Sequence, residues 1–229
     1  MKEEIHIFVF LPMVFFTVGL FFWKVNIMKK SSQKSLVQVA TIAMLTAISF
    51  VLFLLEFPLF AALGHLKMDL SDIPALFAGI VYGPGAAVII ELLKNVIELI
   101  FKGIGTQMGF GNLMNFIVGC AYVVPFSILF RSLKKQSEKK GEYNSKKENK
   151  YILLSSLLGV AAIVIIGFFA NYLVTPLFFK YFLGIELDGA TLWAAIGSSA
   201  TLNAIKGAML SVVAFPIIKV LVERLKKFI

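Results

Sequence analysis

The run from Ile152 to Phe179 contains no charged side chain, and this constrains the fold more than any other feature of the sequence. A helix of roughly 20 apolar residues crosses the hydrocarbon core of a bilayer, and this run exceeds that length. Further apolar stretches occur at Leu36–Leu55, Pro74–Tyr82, Ala86–Phe101, Leu113–Phe130 and Ala200–Val222. Soluble domains are about 45–50% apolar and about 25% charged. Here the values are 59% and 15%. A soluble helical domain would need many more polar faces. The sequence therefore specifies an all-α integral membrane protein, a six-helix transmembrane bundle.

The chain divides into an N-terminal apolar segment, residues 1–30, and a six-helix membrane domain, residues 31–229. The first segment reads either as an extra helix over Ile5–Trp23 or as sequence upstream of a start at Met28. Its positive flank follows the apolar run, opposite to a secretory signal. "YGPG" at Tyr82–Gly85 predicts a tight turn joining two antiparallel helices. Lys134–Lys150, "KKQSEKKGEYNSKKENK", reads as a solvated, flexible linker. Basic residues concentrate before Leu36, in Arg131–Lys150 and after Arg224, whereas the alternate loops hold only Lys67, Lys102 and Lys180. By the positive-inside rule the Arg131–Lys150 loop and the C-terminus are cytoplasmic, in a multi-pass cell-membrane protein.

That distribution accounts for the net charge of +9 as topology, so no nucleic-acid partner is expected. Cys120 stands alone, and His6 and His65 have no metal-binding spacing, so neither a disulfide framework nor a metal site is expected. No Walker A phosphate cradle, H-E-x-x-H or G-x-S-x-G is present. The chain supplies no ATP hydrolysis of its own, offers no catalytic residues and is not read as an enzyme.

Polar groups at membrane depth carry the functional signal, because a charge at bilayer centre costs about 2.5–3.5 kcal/mol on insertion scales. In "VIIELLKNVIELIFK", Glu91, Lys94, Asn95, Glu98 and Lys102 recur at three- and four-residue steps, on one helix face. They read either as a self-compensating ladder or as a stripe facing a protein interior. Asn115, Asn171, Asn203 and Lys206 lie in the outer halves of their spans, where amides suit a neutral solute rich in polar atoms. Asn112 reads as interhelical glue. Ala43 and Ala47, four apart, form a small-xxx-small face that serves either internal packing or partner docking. Gly79 and Gly83 offer the same choice.

"KMDLSDIPALFAGIVYGPGAAVIIELLKN", "NFIVGCAYVVP", "NYLVTPL" and "NAIKG", in this order, resemble the riboflavin-specific substrate-binding subunit of energy-coupling-factor (ECF) vitamin transporters. The resemblance runs from about Leu36 to the C-terminus. The N-terminal apolar stretch departs from the family's six helices, and Asn112 stands where many relatives carry an acidic residue. The resemblance implies capture of riboflavin from outside, with no cofactor of the protein's own. It also implies partnership with a transmembrane coupling subunit and two ATPase subunits, docking through Ala43 and Ala47, and a capping loop over Glu56–Asp72. Flavin carbonyls and ribityl hydroxyls need polar partners, because an unpaired buried polar group costs about 1–3 kcal/mol. The expected ligand-binding residues are Asn171, Asn203 and Lys206, then Asn115, Glu91 and Asn95, with Leu66, Lys67, Met68 and Asp69 from the loop. Asp72, just before Pro74, reads equally as a helix cap. The alternatives are a sister subunit for thiamin or biotin, or a membrane enzyme or scaffold with a structural polar stripe.

Overall fold

Six α-helices follow one another in the computed structural model, which describes residues 32–58, 67–103 and 109–225. Helix α1 covers Ser32–Leu54, α2 Asp72–Tyr82, α3 Pro84–Lys102, α4 Phe110–Lys139, α5 Ser145–Phe178 and α6 Gly189–Leu225. Two short strands lie between α1 and α2, β1 (Phe57–Pro58) and β2 (Lys67–Met68), paired antiparallel with Phe57 opposite Met68. Ile42–Ile229 forms one compact unit. The predicted N-terminal helix and Leu66 lie outside the described residues.

By length and apolarity alone, α1, α4, α5 and α6 are each able to cross a membrane. Helix α3 has 19 residues, long enough to span, but its charges exclude it from that hydropathy class. Helix α2 has 11 residues, about 16 Å at 1.5 Å per residue, and is too short to cross alone. The expected turn falls at Gly83, whose φ of 105° is open to glycine and strained for other residues, and Pro84 opens α3. Helices α2 and α3 thus double back on each other and both pack on α4. Gly79 serves this packing: a Cβ there would stand 3.0 Å from Ser127 and 3.1 Å from the Ala87 methyl.

The core runs along α4, where Tyr122, Phe126 and Phe130 are fully buried, with ring centroids 6.0 and 6.3 Å apart. Ala75, Leu76, Ala87, Ile90, Ile152, Ile163 and Leu210 close around them. Tyr122 keeps its hydroxyl satisfied at 2.8 Å from Ser211 Oγ on α6. Large apolar residues on α5, among them Leu157, Ile165, Phe169 and Leu173, face outward. In water such a surface would drive association; in a bilayer it is the solvent-facing side of the protein.

Two expectations change. The basic segment Lys134–Lys150 is not a flexible linker: α4 continues to Lys139 and α5 begins at Ser145. Lys, Gln and Glu are good helix formers, and the short turn between the helices is held by specific bonds. Asn144 caps α5 by accepting from Lys147 N at 3.0 Å, Tyr143 donates to Glu148 at 2.7 Å, and Lys147 pairs with Glu142. Burial, together with that hydrogen bond, raises the Tyr143 phenol above its ordinary range. Second, the last helix starts at Gly189, well before Ala200. Hydropathy weakens across "GSSAT", yet Ser198 and Thr201 bond back to the carbonyls of Ala195 (2.9 Å) and Gly197 (3.0 Å), so the helix carries them.

Candidate functional site: a buried charge network beside an amide pair

Four predicted residues from separate parts of the chain meet at Lys206 or one step from it. Helix α6 brings Lys206 Nζ within 3.0 Å of Asp72 Oδ2, 3.4 Å of Asp69 Oδ2 and 3.1 Å of Asn115 Oδ1. Asn115 in turn donates to Asn95 Oδ1 at 3.3 Å, and Asn95 donates to the Glu91 carbonyl at 2.8 Å. Loop, α2, α3, α4 and α6 therefore share one polar network, and its two lysines are buried.

Lys94 is the second hub. Its ammonium pairs with Asp72, donates to Ser71 Oγ at 2.7 Å and lies 2.7 Å from Glu91 Oε2. The Glu91 contact is an ion pair, and neither Glu91 carboxyl oxygen has a hydrogen-bond partner among the described residues. Lys94, Asp72 and Glu91 are completely buried. Ser71 ties the network to α1 by accepting at its carbonyl from Ser49, while Asp69 Oδ1 accepts from Ser71 N at 2.8 Å. Ion pairs at this depth hold only when each charge has a close partner, since desolvation costs several kcal/mol per ion.

The ladder on α3 is thus only partly self-compensating. Glu91–Lys94 and Glu98–Lys102 (2.8 Å) form as the spacing predicts, but Lys94 turns to Asp72 on α2. Glu98 also accepts from Asn112, whose amide further donates to the Asn95 carbonyl at 3.1 Å; Asn112 joins α4 to α3 as expected. Asp72 is not a helix cap. It makes no capping bond, because its carboxylate is committed to two lysines. The sequence placed it beside a proline and gave no sign of partners so distant in the chain.

Asn171 and Asn203 both lie against Gly167, apart from the charge network. Asn171 donates to the Gly167 carbonyl at 2.8 Å, and the Asn203 amide nitrogen occupies the space a Cβ on Gly167 would need. Both side chains are half-buried, and Thr175 Oγ1 stands 3.5 Å from Asn171 Oδ1. Asn203 precedes Lys206 by one helical turn, so α6 links the amide pair to the charge network. Met68 and Asp69 are buried beside the network. Lys67 lies in β2, and nothing of its side chain is described.

Sequence reasoning omitted Ser49, Ser71, Lys94 and Gly119 from the site. Gly119 matters because a Cβ there would collide with the Glu91 carboxyl, so α4 approaches α3 closely at this point. Only the polarity of Lys94 was visible beforehand; the others are small residues whose role depends on neighbours distant in the chain. Among the described residues no group of three or more His, Cys, Asp or Glu could hold a metal ion. The chemistry on offer is recognition: amide donors and acceptors, a lysine already oriented by two carboxylates, and a buried loop wall.

Residues 37–218 match the family described as ECF transporter, substrate-specific component. The chain belongs to this family. As an S component it is a multi-pass membrane transport subunit and not an enzyme, and it works as one component of an ECF transporter. It is 34% identical to "Riboflavin transporter FmnP" of Bacillus subtilis, over 77% of this chain and 87% of that protein. It is 26% identical to "Riboflavin transporter RibU" of Staphylococcus aureus, over 82% and 91%. A chain from "Structure and mechanism of the S component of a bacterial ECF transporter" matches with TM-score 0.58 and 25% identity, covering 85% of this chain and 99% of that one. The structural likeness extends over most of the six-helix architecture above.

Proposed function

We propose that this S component binds riboflavin at the outer side of the membrane and delivers it through an ATP-driven ECF uptake transporter. The observation that carries the reading is the similarity to FmnP at 34% identity over most of both chains, since that protein is named a riboflavin transporter. The site chemistry supports it. Asn171, Asn203, Lys206 and Asn115 supply donors and acceptors for flavin carbonyls, ring nitrogens and ribityl hydroxyls. Met68 and Asp69 are buried beside the network on the loop side, and Leu66 and Lys67 are proposed as further ligand contacts. Asn95 lies behind Asn115 in the hydrogen-bond chain and Glu91 is ion-paired with Lys94, and both brace the wall from there.

The partners proposed are a transmembrane coupling subunit and two ATPase subunits. Ala43 and Ala47 are both exposed on α1, next to exposed Met44 and Ile48. A face of small side chains lets another helix approach closely, which supports docking of the coupling subunit there. The Arg131–Lys150 connection and the C-terminus are read as cytoplasmic from their lysine and arginine content.

An absorption spectrum of the protein purified from riboflavin-fed cells tests the ligand assignment. A flavin spectrum is expected, and stripped protein should quench added riboflavin but ignore thiamin and biotin. Colourless protein that binds thiamin or biotin instead would overturn the assignment while leaving family membership intact.

A further inference from the structure

The charge network is unbalanced as written. Asp69, Asp72 and Glu91 bring three carboxyls to two ammonium groups, Lys94 and Lys206. These groups come from the loop, α2, α3 and α6, and the Cys120 thiol on α4 is near enough to interact electrostatically with Glu91. An uncompensated charge in a medium of low dielectric is strongly disfavoured, and a buried group takes up or loses a proton rather than remain so.

The three carboxyls are not equivalent. Asp72 is hydrogen-bonded to Lys94 through Oδ1 and ion-paired with Lys206 through Oδ2, which has no hydrogen-bond partner among the described residues, and Asp69 accepts from Ser71 N while facing Lys206. Among the described residues Glu91 has one ion pair, to Lys94, and neither of its carboxyl oxygens has a hydrogen-bond partner. The bare backbone of Gly119 closes one side of that carboxyl. We propose that Glu91 is held as the neutral carboxylic acid, a proton-binding site that brings the network to zero net charge. Glu91 is then a positioning residue. Its proton leaves Asp72 and Asp69 as the counter-charges of the lysines and keeps Lys206 oriented toward the ligand side.

This inference rests on the riboflavin reading only for what Lys206 does, and its test uses ligand-free protein, so the two fail separately. The first readout is the infrared spectrum in an ester-free detergent. Wild type is expected to show the carbonyl stretch of a protonated carboxyl, and Glu91→Gln is expected to lack it. The second is thermal melting. Glu91→Gln replaces a neutral acid by a neutral amide of the same shape, so its melting temperature should fall far less than that of Asp72→Asn, which removes a charge shared by two lysines. Absence of the protonated-carboxyl band from the difference spectrum would overturn the proposal. So would a Glu91→Gln loss as large as that of Asp72→Asn.

Discussion

The same Lys–Glu and Lys–Asp chemistry appears in two places with opposite consequences. At the Arg131–Lys150 end, Lys147–Glu142 and Lys134–Glu138 (3.8 Å) sit at the surface. Water and salt screen such pairs, and many contribute nothing measurable. At the other site, Lys94, Asp72 and Lys206 have almost no exposure, and each charge depends on its neighbours. Breaking a buried pair by removing one partner typically costs about 3–5 kcal/mol, because the remaining charge is left without compensation. The lysines in the first region border a turn between two helices. Those in the second fix the positions of five chain segments at once.

That contrast can be broken in graded steps. The largest effect is expected from Asp72→Ala, which leaves Lys94 and Lys206 without their shared carboxylate; stability should fall by about 3–5 kcal/mol, read as a large drop in melting temperature. Gly119→Ala should come next, at about 1–3 kcal/mol from overpacking against Glu91, measured the same way. Asn203→Ala should leave melting nearly unchanged yet weaken riboflavin binding by several-fold, about 1 kcal/mol for one lost hydrogen bond, measured by titration. The smallest effect is expected from Glu142→Gln, which should shift neither melting nor binding measurably. If it matched Asp72→Ala, the distinction between the two regions would be wrong.

Ala43→Trp enlarges an exposed α1 residue on the face opposite to buried Leu45 and Ser49. Riboflavin binding by the isolated subunit should survive, while uptake by the assembled transporter should fall steeply. Normal uptake by a correctly inserted variant would show that the coupling subunit docks elsewhere.

Legibility in the sequence followed the range of the interactions. Apolar length and the YGPG turn marked every helix, because both signals are local. The polar face of α3 and the Asn203–Lys206 pair were visible from helical spacing alone. Asp72 was ambiguous because a carboxylate beside Pro74 suits a helix start, and its partners Lys94 and Lys206 lie far along the chain. The basic turn looked like a linker because its order comes from a cap and a few side-chain bonds that composition does not encode. Ser49, Ser71 and Gly119 left no trace, since a small residue acquires its role only when a neighbour is packed against it.

In the proposed riboflavin site, Lys206 is the ligand-facing cation, oriented by Asp69 and Asp72. Fluorescence titration of purified wild type and Lys206→Ala with riboflavin tests it most directly. Tight quenching by wild type and an affinity loss of about tenfold or more in the variant are expected, as for a lost hydrogen bond from a charged donor. Equal affinity in the two proteins, with both correctly folded, would contradict it.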